Sequence, residues 1–257
     1  MARKIVITSG KGGVGKTTVA AHLGGALAKS GARVCMVDAD VGLNNLDVAL
    51  NMEGDIVYDI GDIIAGRCSI NKALICDKVY NNLYLLPTAR YLPIDVLTNE
   101  IFSDIITELQ PSYDFILIDC PAGIDEGFQR AVVPASEAIV VTTPHISALR
   151  DADKVIGMLG SYHIATVGLA VNRVRGDMVV RGKMMSPYEC SQLLRVQIRG
   201  VLPEDDIIVE SNHISANIKS KTAEAYTYFA ENIRGMSQKI YNPEAQYSGI
   251  FGRFKRR

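Results

Sequence analysis

Short apolar, β-branched runs alternate with longer stretches of helical period along nearly the whole chain. That alternation predicts an α/β fold: a doubly wound, mostly parallel sheet flanked by helices. The expected strands are Ile5–Thr8, Arg33–Val37, Asn82–Leu86, Phe115–Ile118, Ala138–Thr142, Thr166–Val171 and Gln197–Leu202. The expected helices are Thr17–Lys29, Ile94–Leu109, a short one near Gln129, Ser147–Leu159 and Thr222–Ile240. Phe115-Ile116-Leu117-Ile118 has no polar alternation, as expected of a strand buried on both faces. Ser30-Gly31 and Pro111 supply helix stops.

The pattern changes at Asn242-Pro243, so residues 1–241 are expected to form one domain and 242–257 a linker and C-terminal segment. Drawn as a helix, Tyr247, Ile250, Phe251 and Phe254 share one face at i, i+3, i+4 and i+7. Arg253, Lys255, Arg256 and Arg257 make the remainder basic. Bulky apolar groups beside cations suit an interfacial anchor on an anionic membrane. A disordered basic tail, or a last helix packed on its own domain, fits the same residues. Eleven residues are too few for a stable helix in water, so one copy would order on lipid and bind weakly. Two copies would gain from effective concentration.

Composition narrows the classes. The 257 residues are 48% hydrophobic and 21% charged, enough to bury a full core. A formal charge of −1 excludes bulk attraction to nucleic acid or membrane, leaving only local patches. Five scattered cysteines with no C-x-x-C pair argue for reduced thiols in the cytosol and against a sequence-local metal site. Met1-Ala2-Arg3-Lys4 runs directly into a strand, which leaves no room for a signal peptide. No apolar run approaches the roughly 18 residues of a membrane span.

The chemistry begins at Ser9-Gly10-Lys11-Gly12-Gly13-Val14-Gly15-Lys16-Thr17-Thr18. Gly10, Gly15, Lys16 and Thr17 satisfy G-x-x-x-x-G-K-[ST] between a strand and a helix, the context a phosphate-binding loop requires. Backbone N–H groups of the loop and the positive end of the helix face the phosphates. Lys16 neutralises the β and γ phosphates, and the Thr17 hydroxyl suits Mg²⁺. Asp119 closes an apolar strand in the Walker B manner and is expected to hold Mg²⁺ through water. Asp38 and Asp40 follow another strand, and ligands bind beyond the carboxyl ends of strands in an open parallel sheet. Asn172-Arg173 and Pro203-Glu204-Asp205 follow two more. An asparagine carboxamide has both the donor and the acceptor to read the adenine N6/N7 edge.

Four stretches together resemble the deviant Walker A, or MinD/ParA, superfamily, and in particular its MinD branch. They are K-G-G-V-G-K-T-T at Lys11–Thr18, V-D-A-D-x-G-L-x-N-L-D at Val37–Asp47, D-C-P-A-G-I at Asp119–Ile124, and T-x-P-x-x-S-x-x-R-D-x-D at Thr142–Asp153. The resemblance covers nearly the whole chain. It implies an ATPase in which Lys11 reaches the partner's phosphates in an ATP-sandwich homodimer. It gives Asp40 the attacking water and Asp38 a place near Mg²⁺, with the pair fixed better than their order. It makes Asn172, Arg173, Pro203, Glu204 and Asp205 the adenine positions, and Asp151 and Asp153 partner contacts. It further implies peripheral attachment to the inner face of the cell membrane, division-site placement through the septum inhibitor MinC, and a stimulating factor of the MinE kind. His145 replaces the family's acidic residue, which leaves the partner surface open; Asp151 and Asp153 read equally well as a solvated helix face.

Other readings share the front end. A ParA-like DNA-partition ATPase would need a basic surface, whereas the basic cluster here sits beside Phe251 and Phe254. A flagellar-number regulator would be expected to carry an extra N-terminal segment. An iron–sulfur carrier would need more than Cys120 in the Asp119–Ile124 stretch, which no close cysteine pair accompanies. A dethiobiotin-synthetase-like ligase would need a substrate pocket that no motif supplies.

Overall fold

The computed structural model describes residues 1–42, 45–89, 92, 96–162, 164, 166–205 and 220–247. Eight strands form one sheet: β1 (Arg3–Thr8), β2 (Val34–Asp38), β3 (Ile75–Cys76), β4 (Leu83–Leu86), β5 (Phe115–Asp119), β6 (Glu137–Thr142), β7 (Thr166–Val174) and β8 (Ile198–Pro203). Their order is β3-β4-β2-β5-β1-β6-β7-β8, parallel throughout except for β3 against β4. The described helices are α1 (Lys16–Lys29), α2 (Leu46–Ala49), α3 (Ile60–Ile64), α4 (Ile70–Ala73), α5 (Asn99–Leu109), α6 (Glu126–Val132), α7 (Ile146–Ser161), α8 (Gly176–Val180), α9 (Pro187–Leu194) and α10 (Lys221–Arg234).

The chain leaves β1 toward β2 on one side and builds β6 on the other. The crevice at the carboxyl end of β1 is therefore the switch point where an open α/β sheet binds its ligand. Register decides what lies there. Asp38 pairs with Asp119 across β2 and β5, and Ile7 pairs with Asp119 across β1 and β5. Two strand-end carboxylates thus arrive beside the chain just before the glycine-rich loop.

Every residue of β2 and β5 is buried, as expected of apolar strands covered on both faces. α1 supplies one cover with Val19, Leu23 and Leu27, each fully buried. The Tyr226 ring of α10 lies 5.3 Å from the His22 ring of α1, so both helices share one side of the core.

Several boundaries differ from expectation. α5 begins at Asn99, because the Thr98 hydroxyl accepts from the Ile101 N–H and caps it there. α10 stops at Arg234, where Gly235 adopts φ 73 and ends the helix well before Ile240. β7 continues through Asn172-Arg173 to Val174, with a register shift against β8 between Val171 and Val174. The described part of the expected linker lies against the domain: Pro243 is buried, and Ala245–Tyr247 forms a 3-10 turn. Ile250, Phe251, Arg253, Phe254, Lys255, Arg256 and Arg257 lie outside the described residues.

Candidate functional site: a phosphate loop with strand-end carboxylates

Gly15 is the N-cap of α1 with φ 89, a left-handed conformation that glycine adopts without steric cost. It offers no side-chain cap, and the first turn of α1 carries no acidic residue. The N–H groups at this helix end therefore have no competing anion of their own, which is what a phosphate site requires. Lys16 is buried at 7% exposure, an expensive place for an ammonium unless an anion meets it. In the protein it meets Asp119: Nζ to Oδ1 is 2.6 Å. The Thr17 hydroxyl lies 3.3 Å from the same Nζ.

The carboxylates are graded by environment. Asp38, 2% exposed, accepts from the Asp40 N–H at 2.9 Å and the Leu46 N–H at 3.4 Å, one on each oxygen. Burial first, and the neighbouring Asp119 second, push its carboxyl up to about 7. Asp119 is also raised by burial, against the pull of the Lys16 ammonium and the Thr17 hydroxyl. Asp40 is half-buried and raised, again chiefly by desolvation, with Lys16 opposing and Asp119 adding to the shift. Burial thus works against ionisation of three neighbouring carboxyls, and a nearby cation favours their charged forms, as Lys16 does for Asp119 and Asp40. Among the described residues no cluster of three or more His, Cys, Asp or Glu could hold a metal by itself. A magnesium ion would rest on Thr17, Asp119 and Asp38 together with phosphate and water oxygens, the mixed shell that ion prefers.

Lys11 is exposed at the loop tip and forms no ion pair with the described residues. It borders an open cavity of about 370 Å³ shared with Gly12, Gly13, Val14, Arg173 and Glu204. Thr143 and His145 close that cavity from the β6–α7 turn. Gly12 faces Ala122 of the Asp119–Ile124 stretch, and Gly123 there has φ 100. Thr18 is half-buried in the first turn of α1.

Asn172 is buried and donates from Nδ2 to the Val14 carbonyl at 2.8 Å, so the expected base position also touches the phosphate loop. Arg173 and Glu204 are exposed beside the loop, while Asp205 accepts from the buried Thr222 hydroxyl at 2.6 Å. Pro203, Glu204 and Asp205 border a second cavity, about 480 Å³, whose far wall is Tyr241, Pro243 and Tyr247. Asp153 is exposed on α7, and Asp151 lies 3.5 Å from the Lys154 ammonium. The side chain of Asp151 stays outside the site, but its backbone does not. A Cβ on Gly10 would overlap the Asp151 carbonyl, so the loop and α7 touch backbone to backbone. That contact had no signal in the sequence. Neither did buried Ser9, whose hydroxyl donates to the Lys11 carbonyl at 3.1 Å.

A glycine-rich loop at the switch point, a buried lysine on the first turn of the following helix and a strand-end aspartate in contact with it define a P-loop nucleoside triphosphatase. A family model described as an AAA domain matches residues 2–165. The septum site-determining protein MinD of Synechocystis is 44% identical, across 100% of this chain and 98% of that protein. The MinC:MinD cell division protein complex of Aquifex aeolicus contains a chain that is 41% identical, with a TM-score of 0.85, covering 94% of this chain and 99% of that one. MinD of Pyrococcus horikoshii, solved with Mg-ADP, is 34% identical with a TM-score of 0.79, covering 91% and 96%. The chain belongs to the MinD family of cell division ATPases.

Proposed function

We propose that this ATPase is a switch that dimerises with ATP, holds the membrane through its C-terminal segment and lets go after hydrolysis. The observation that carries this reading is Lys11: an exposed lysine without an ion-pair partner among the described residues, on a loop whose own phosphate lysine, Lys16, is already buried. A second ammonium facing outward suits the phosphates of a second copy, in a homodimer. MgATP fits the loop, since the uncapped N-terminus of α1 and Lys16 favour anions while Asp38 and Asp119 favour a cation. Bound magnesium would neutralise charge on the β and γ phosphates.

The protein's own contribution is positioning and electrostatics. Lys16 meets the transferring phosphate, and Thr17 and Asp119 orient the cation. Asp40 suits the attacking water better than Asp38, because both oxygens of Asp38 already accept backbone N–H groups. Asn172, Arg173, Pro203, Glu204 and Asp205 form the base end. Residues 1–241 act as the ATPase domain and 242–257 as the tether, in which Ile250, Phe251 and Phe254 enter the lipid, Arg253, Lys255, Arg256 and Arg257 meet anionic headgroups, and Tyr247, seated beside Gly176, stays on the domain. No described helix is long and apolar enough to cross a membrane, in keeping with peripheral attachment on the cytoplasmic face.

The Aquifex relative was solved with MinC, which supports a septum inhibitor as cargo and the division site as the process. The α7 face with Asp151 and Asp153 is the surface offered to such a partner and to a MinE-like stimulator. Co-sedimentation of the full chain with anionic liposomes, and separately with duplex DNA, tests the reading. ATP and not ADP should drive liposome binding, with no ATP-dependent DNA binding; the reverse pattern would instead fit a partition ATPase.

A further inference from the structure

The end of β7 reaches into the phosphate loop. Asn172 is 5% exposed, and its carboxamide Nδ2 donates to the carbonyl of Val14 at 2.8 Å. Val14 precedes Gly15, and a Cβ on Gly15 would stand 2.5 Å from that same nitrogen. The loop thus presses on the carboxamide in a space where only glycine fits. On the other side of Gly15, its own carbonyl accepts from the Val19 N–H at 2.8 Å inside α1.

Peptide planarity turns this into control of direction. The carbonyl of Val14 and the N–H of Gly15 belong to one trans unit and point opposite ways. Anchoring that carbonyl on Asn172 fixes the Gly15 N–H away from Asn172. With the following carbonyl held by α1, neither flanking peptide is free to rotate. The strand that supplies the anchor is itself irregular there: the β7–β8 register slips between Val171 and Val174, and Arg173 takes φ 56. That irregularity aims Asn172 at the loop.

We infer that Asn172 is a positioning residue of the phosphate loop, holding the Val14–Gly15 peptide in its phosphate-binding orientation before any base arrives. Its second N–H and its Oδ1 remain for a base, so one side chain joins the base end to the phosphate end. This goes beyond base recognition, and the two roles separate experimentally with a ligand that has no base.

Affinity for Mg²⁺-tripolyphosphate and for MgATP is measured by calorimetry on the native chain, Asn172→Ala and Asn172→Asp. The aspartate keeps the shape but turns an acceptor toward the Val14 carbonyl. Loop positioning predicts a loss of about tenfold or more for tripolyphosphate in both variants, since a buried carbonyl has lost its donor. ATP affinity should fall by at least the same factor. An unchanged tripolyphosphate affinity beside a weakened ATP affinity would reduce Asn172 to a base contact and overturn the inference. Unchanged affinity for both ligands would overturn it as well. A reading independent of variant folding comes from the native, nucleotide-free chain. There the Asn172 carboxamide proton donated to the Val14 carbonyl should exchange slowly with solvent, and fast exchange of that proton contradicts the anchor.

Discussion

Lys16 and Asp119 form a buried ion pair, Nζ to Oδ1 2.6 Å, with side-chain exposures of 8% and 2%. The pair ties the phosphate loop to the end of β5 in the nucleotide-free protein. Removing one partner leaves a buried charge uncompensated, which typically costs about 3–5 kcal/mol. Asp119→Ala should therefore lower the unfolding free energy of the nucleotide-free chain, read from urea denaturation, by an amount in that range and abolish Mg²⁺-dependent turnover. Asp119→Asn, which keeps an acceptor for Lys16, should lose turnover but less stability. Equal stability of Asp119→Ala and the native chain would mean that the pair does not hold the loop.

Asp38 makes stability depend on pH in an unusual direction. Its folded carboxyl lies up near 7, above the ordinary 3.8. Between those values the folded chain binds more protons than the unfolded chain, so stability falls as pH rises. The contribution is fully present below about 4 and lost through about 7. Thermal melts of the nucleotide-free protein from pH 5 to 8 should show this slope, and Asp38→Asn should flatten it. A slope that survives the substitution would assign the effect elsewhere.

Gly10 is where α7 and the phosphate loop meet. A Cβ there would collide with the Asp151 carbonyl, and backbone cannot step aside as a flexible side chain can. Gly10→Ala should cost about 1–3 kcal/mol, as overpacking does. It should also weaken MgATP binding, because the loop must shift away from α7. Calorimetric binding and a denaturant melt check both effects. Native affinity in this variant would show that the contact is slack.

Much of the site was legible because its signals are local. The loop spelling, the apolar strand ending in Asp119 and the Asp38-Ala39-Asp40 turn all place chemistry at strand ends, and the sheet register then brings Asp38 opposite Asp119. The Gly10–Asp151 and Asn172–Val14 contacts were not legible, since they join segments more than 140 residues apart. Short elements escaped for another reason: α2, α3, α4 and α8 have four or five residues each, too few to display a helical period. α9 could have been found. Ser186 and Glu189 form a reciprocal capping box with Pro187 at the first position, a start signal written in the sequence.

Gly176 seats the segment that carries the tail. A Cβ there would overlap the Pro243 carbonyl and come within 3.1 Å of the Tyr247 ring. Gly176→Ala should displace residues 242–247 and raise their amide exchange and protease cleavage, while α10 keeps its protection. Because Pro203–Asp205 share a cavity with Tyr241, Pro243 and Tyr247, the same variant should alter nucleotide affinity only modestly. Undisturbed exchange at 242–247 would show that this seat is not holding the segment.

The switch stands or falls on Lys11. Full-length native chain and Lys11→Ala are each incubated with ATP and Mg²⁺, sized in solution, and sedimented with anionic liposomes. The account predicts that the native chain forms a dimer and sediments with ATP but not with ADP, while Lys11→Ala stays monomeric and in the supernatant although it still binds ATP. A Lys11→Ala protein that dimerises and sediments like the native chain would contradict the link from ATP through Lys11 to the membrane.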